Sequence, residues 1–175
     1  MKMNFSMWVN CLVLIGLMVA RSEAKSPVWS AQPDREITIS MVPAKMAYDT
    51  TLLRVRPGER IKLNLKNPDD LEHNLVLIKN DPNDPRGERF AAQCIELGPR
   101  GPKLAWTPDS QRVLARSGMI GPKKESEMFF EAPKEPGDYL YLCTFPGHSN
   151  LMRGILKVGS IDPIFSELSY KVYAG

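Results

Sequence analysis

The stretch YLCTFPGHSNLM, Tyr141 to Met152, gathers a cysteine, a histidine and a methionine in a chain that has two histidines in all. Cys143, His148 and Met152 follow a Cys-x4-His-x3-Met spacing, with Pro146 and Gly147 tightening the loop between the first two. Such a loop can fold its ends onto one point. The other histidine, His73, opens the apolar run HNLVLIK far upstream. Only the fold can bring it to the same place.

A thiolate, two imidazoles and a thioether are the ligand set of an electron-transfer copper centre. Soft sulfur suits Cu(I) and imidazole suits Cu(II). A trigonal Cys-His-His plane with a distant axial methionine satisfies neither state fully, so little rearranges when the electron moves. Zinc fits less well, because structural zinc takes four strong Cys or His ligands. Each residue also has a plainer explanation by itself. Met152 is one of nine methionines and could fill a gap in the core. His73 could be a hydrogen-bonded buried residue and His148 a solvated one. Cys143 could be an inert thiol or half of a disulfide. Four such coincidences at one consistent spacing favour the metal site.

The elements that must position these residues can be read from the rest of the chain. At 175 residues with 43% hydrophobic content, the chain supports one compact domain. The net charge of +3 is modest and its basic residues are scattered among acidic ones, which gives no reason to expect a nucleic-acid partner. Lys2, the short apolar run Cys11 to Ala20 and the small residues of SEA, Ser22 to Ala24, read as a secretory signal over residues 1–24. That run is about half of the ~20 residues a spanning helix needs, so no stable membrane insertion is expected once the signal is cleaved. The mature chain carries +2, because Lys2, Arg21 and Glu23 leave with the signal. Export implies a periplasmic or secreted protein in an oxidising compartment. There Cys94 and Cys143 either pair with each other or serve separately.

Period-two alternation marks strands at REITISM (Arg35 to Met41) and ERIKLNLK (Glu59 to Lys66), with TTLLRV between them and RPGE as a turn. HNLVLIK, His73 to Lys79, is apolar on both faces, as a strand covered on both sides would be. From Asn80 to Ser110 the chain is rich in Pro, Gly and charge, except for RGERFAAQCIEL, where Phe90, Cys94 and Leu97 share a helical face. A short helix inside a long connection is expected there, covering a sheet end or carrying function. QRVLARS, SEMFFEA, GDYLYLC and MRGILKV read as further strands. Roughly seven or eight strands with Gly/Pro turns predict an all-β, antiparallel Greek-key sandwich. Its expected bounds are residues 36–158, after an extension over 25–35 and before a tail, residues 159–175, that has no clear period.

LEHNLVL followed by YLCTFPGHSNLMRGILKV resembles the copper-binding signature of the cupredoxins, and the Cys-x4-His-x3-Met spacing resembles azurins more than plastocyanins. The resemblance extends over TPDSQRVLARSGMIGPKKESEMFF. It implies one type 1 copper, with His73, Cys143 and His148 as equatorial ligands and Met152 as the axial one. It also implies that Asn74 ties the two ligand loops together through Thr144, and that backbone N–H groups of Asn74 and Phe145 point at the Cys143 sulfur. Two positions depart from azurins. Glu72 stands where they place a glycine before the first histidine, so the approach of that residue's carbonyl to the metal does not carry over. Cys94 has no partner once Cys143 binds copper, and it reads as a small apolar residue on the inner face of the helix.

The function implied is that of a monomeric electron carrier and not an enzyme, cycling Cu(II)/Cu(I) with redox proteins such as a c-type cytochrome or a terminal reductase. The electron would pass through His148, the ligand nearest solvent. Two alternatives stand beside it, a copper storage or delivery protein and a copper enzyme with an open coordination position.

Overall fold

The computed structural model describes residues 32–160. The expected signal, most of the N-terminal extension and nearly all of the tail lie outside the described residues. Among the described residues nine strands form two sheets. In the first, β1 (Arg35–Val42), β2 (Ala47–Tyr48), β4 (Arg60–Asn67) and β7 (Lys124–Glu131) lie in the order β2-β1-β4-β7. In the second, β3 (Leu52–Val55), β5 (Val76–Ile78), β6 (Val113–Arg116), β8 (Gly137–Leu142) and β9 (Arg153–Val158) lie in the order β3-β9-β8-β5-β6. Among the described residues no helix is long and apolar enough to cross a membrane.

Alternation along the strands decides which residues enter the core. In β4, Ile61, Leu63 and Leu65 are buried while Arg60, Lys62 and Asn64 are only partly so and Lys66 is exposed, because successive side chains leave a strand on opposite faces. They meet Met128 and Phe130 of β7 and pack across the sandwich on Leu53, Leu75, Leu77, Tyr141 and Leu156. The second sheet is covered on its far side too. There Val76, Ile78, Leu140 and Leu142 meet Phe90, Ala91 and Cys94 of α1 (Glu88–Glu96). This explains why β5 reads as apolar throughout, for both of its faces are covered. The N-terminus of α1 is satisfied from outside the helix, where the Asp84 carboxylate accepts the N–H groups of Arg89 and Phe90.

Two expectations need correction. The sheets are not wholly antiparallel: β1 pairs with β4, and β3 with β9, in parallel. The chain leaves β1 and visits the other sheet before β4 returns beside it, so the two run the same way. The strand expected from His73 is regular only from Val76. His73 forms a single antiparallel bridge with Ile120, and the N–H of Leu75 donates to Ser117 Oγ instead of a ladder carbonyl. Of the two readings of the cysteines, the one with separate roles is what the structure has: Cys94 and Cys143 are both free thiols that belong to different apolar clusters. Burial among apolar side chains pushes the Cys94 thiol up to about 12, which leaves it protonated and inert.

Candidate metal centre

One end of the sandwich collects the rare side chains. β8 delivers Cys143 immediately after Leu142, and the Cys143 N–H donates to the Met152 carbonyl where the loop returns into β9. Between them the loop winds into tight turns. The N–H groups of His148 and Met152 donate to the carbonyls of Phe145 and His148, and Gly147 takes φ +87°, a conformation that disfavours any side chain. His73 arrives on the other side, held by reciprocal backbone hydrogen bonds with Ile120.

These elements bring three ligand atoms together. Cys143 Sγ lies 3.9 Å from His73 Nδ1 and 3.7 Å from His148 Nδ1, and the two Nδ1 atoms are 3.2 Å apart. Three ligands arranged trigonally at about 2.0–2.3 Å from a first-row ion stand about 3.5–4.0 Å from one another. The cluster therefore fits one small cation, with the two imidazole nitrogens slightly closer than that. His73 is 0% exposed and Cys143 0%, whereas His148 is 5% exposed and so offers the one edge toward solvent. Met152 is fully buried in the same apolar cluster as Cys143 and Phe145.

Electrostatics make the same demand. Burial pushes the Cys143 thiol up to about 11, against backbone N–H groups of Asn74 and Phe145 that pull it down. A thiolate needs a cation there, and a bound metal supplies one. The His148 pKa is lowered, chiefly by burial and then by the facing His73, with Asp69 opposing. The ring is thereby kept neutral, the form that ligates. Soft sulfur with two imidazoles suits copper.

Around the cluster the support is dense. Asn74 grips Thr144 from both sides: Thr144 N–H donates to Asn74 Oδ1 at 2.8 Å, and Asn74 Nδ2 donates to Thr144 Oγ1 at 2.7 Å and to the Ala105 carbonyl at 2.8 Å. The two ligand loops are thus joined, and the connection between β5 and β6 is joined to both. That connection also places Trp106 edge-on against Phe145, whose ring lies 4.8 Å from that of His148. Beneath Asn74, Tyr48 donates to its carbonyl at 2.6 Å. On the outer side of His73, Nε2 lies 3.0 Å from Asp69 Oδ2. The Asp69 carboxyl is held below its ordinary value, since hydrogen bonds from His73, Asp70 and Ala44 outweigh the burial that would raise it.

Asp69, Tyr48 and Trp106 were not anticipated from sequence. Asp69 had one readable signal, its position four residues before His73, but in irregular backbone that spacing carries no directional meaning.

Residues 35–159 match the family described as copper binding proteins, plastocyanin/azurin family. Auracyanin-A of Chloroflexus aurantiacus is 35% identical over 117 residues, covering 65% of this chain and 68% of its own length. An azurin of Pseudomonas aeruginosa is 43% identical over 120 residues, 65% of this chain and 78% of its own. Among solved structures, auracyanin A, described as a "blue" copper protein from a green thermophilic photosynthetic bacterium, superposes with a TM-score of 0.64 at 30% identity, covering 71% of this chain and 98% of that one. The matched span takes in both sheets and each of the converging side chains, and the chain belongs to the plastocyanin/azurin family of copper-binding proteins.

Proposed function

We propose that this blue copper protein carries single electrons between redox proteins outside the cytoplasm, with copper held by His73, Cys143 and His148 and weakly by Met152. The observation that carries the reading is the buried convergence of one thiol and two imidazole nitrogens at 3.2–3.9 Å. Bound there, copper supplies a one-electron couple. The protein's own share is to hold the three donors in place whichever way the electron goes, and the clamp between Asn74 and Thr144 does this by tying both loops to one another. Residues 36–158 form the working domain, and residues 1–24 direct its export. With its coordination positions filled, the centre performs no catalysis of its own. The visible spectrum of copper-loaded protein tests the reading. An intense blue thiolate band supports it, and its absence favours storage or an open catalytic site.

Met152 has a separate expected effect. A weak axial thioether tunes the potential more than it retains the metal. Met152→Gln introduces a harder oxygen donor that favours Cu(II), so the reduction potential falls while copper stays bound. Voltammetry showing no shift removes Met152 from the coordination sphere.

The electron route is expected to run through the exposed edge of His148. Beside that edge Leu151 is 65% exposed, and Leu71, two residues before His73, is 46% exposed. Phe145 and Pro146 are half-buried in the same loop. An apolar rim suits a redox encounter that buries under about 1,200 Å² and must release quickly. Leu71→Lys and Leu151→Lys put charge on the rim without touching the ligands. Slower electron exchange is expected, with a partner and between copies of the protein, at an unchanged blue spectrum. Stopped-flow rates equal to wild type in both variants rule out this exit.

A further inference from the structure

Asp69 lies in the loop between β4 and His73, with its side chain 7% exposed. Both of its oxygens are committed. Oδ2 faces His73 Nε2 at 3.0 Å, while Oδ1 accepts the N–H groups of Asp70 at 2.8 Å and of Ala44 at 3.2 Å. Its own N–H donates to Asn67 Oδ1, and Asn67 Nδ2 in turn fastens the loop by donating to the carbonyls of Leu71, Ile120 and Gly121. The carboxylate is therefore aimed by the β1–β2 turn and by the end of β4, and it has little freedom to rotate. Among the described residues no lysine or arginine forms an ion pair with it.

We propose that Asp69 is a positioning residue of the copper centre, which orients the His73 ring and lowers the reduction potential through it. This inference rests on the copper reading of the site. An ionised carboxylate can only accept a hydrogen bond, so the proton sits on His73 Nε2 and the Nδ1 lone pair is left facing Cys143 and His148. A charge-assisted bond of this kind is stronger than one to a neutral carbonyl, and it makes the imidazole a more basic ligand. In so buried a place the negative charge is poorly screened. It favours the more highly charged state, Cu(II), over Cu(I).

Asp69→Asn separates this role from that of a simple loop fastening, because it keeps the size and removes the charge. A blue protein is expected whose Cu(II)-to-Cu(I) affinity ratio is about tenfold lower, read in voltammetry as a midpoint about 59 mV higher for a one-electron couple. A lower melting temperature with an unchanged midpoint overturns the proposal and leaves Asp69 a fastening only. Should the variant fail to fold or load, the copper-free wild type decides by nitrogen-15 NMR. His73 protonated at Nε2 with Nδ1 bare supports the proposal, and the opposite tautomer overturns it. A failure of the copper reading itself appears elsewhere, as wild-type protein that stays colourless when loaded with copper.

Discussion

Cys143→Ser is expected to lose the blue band completely while keeping the sandwich folded. The colour of such a centre arises from charge transfer between thiolate sulfur and Cu(II), and a serine oxygen is too hard and too weakly donating to replace it. The fold does not rest on this side chain. Its apolar weight lies in strands β1, β4, β7 and β9, and the backbone N–H of residue 143 still donates to the Met152 carbonyl. A buried hydroxyl without a partner costs about 1–3 kcal/mol, but at this position the N–H groups of Asn74 and Phe145 are already aimed at the side chain. The stability loss should therefore sit at the low end of that range. Cys94→Ser is the matching control, placing the same hydroxyl against Val76, Phe90 and Leu142. It should lower the melting temperature and leave the spectrum unchanged. A blue Cys143→Ser protein, or a bleached Cys94→Ser protein, would mean that the wrong cysteine has been assigned.

The convergence of His73, Cys143 and His148 was legible because their types are scarce: with two histidines in the chain, neither is easily explained as a random surface residue. The strands that carry an amphipathic period, such as β4 with Ile61, Leu63 and Leu65, were legible for the reason that periodicity reports one buried face. What was not legible lies where no period exists. β2 is two residues long, and Tyr48 within it reaches Asn74 only because β2 pairs with β1 at Met41. Asp69 and Trp106 act from irregular backbone, in which sequence spacing does not fix direction. The break at the start of β5 was hidden for a different reason. His73 to Leu75 look like strand, yet side chains of Ser117 and Asn74 take up hydrogen bonds that a ladder would have used. The Asn74–Thr144 clamp itself spans 70 positions of sequence, and only the resemblance to a known family pointed to it.

The second large effect is expected at Gly154, two residues beyond Met152. This residue faces Tyr141 across the β8–β9 pair, and its backbone has no positive φ that would demand glycine. Gly→Ala at such a position ordinarily stabilises by about 0.4–1 kcal/mol, by restricting the unfolded chain. Here contact reverses the sign. A Cβ at residue 154 would stand 2.2 Å from both Cζ and Oη of Tyr141. The ring has nowhere to go, being 1% exposed, hydrogen-bonded from its hydroxyl to the Thr50 carbonyl at 2.6 Å, and packed at 5.5 Å against Tyr48. Overpacking of this kind costs about 1–3 kcal/mol, and losing the Thr50 bond adds about 1 kcal/mol. At about 2–4 °C per kcal/mol, the melting temperature of Gly154→Ala should fall by several degrees. Because Tyr48 supports the Asn74 carbonyl, the disturbance points toward the loop that carries His73. Tyr141→Leu supplies the test of cause, since it empties the space that the new methyl needs. It should be destabilising alone, yet in that background Gly154→Ala should cost close to nothing, giving a coupling energy of about 2–4 kcal/mol, the whole of its cost in the wild type. If Gly154→Ala costs the same in both backgrounds, the Tyr141 ring is not what excludes a side chain at residue 154.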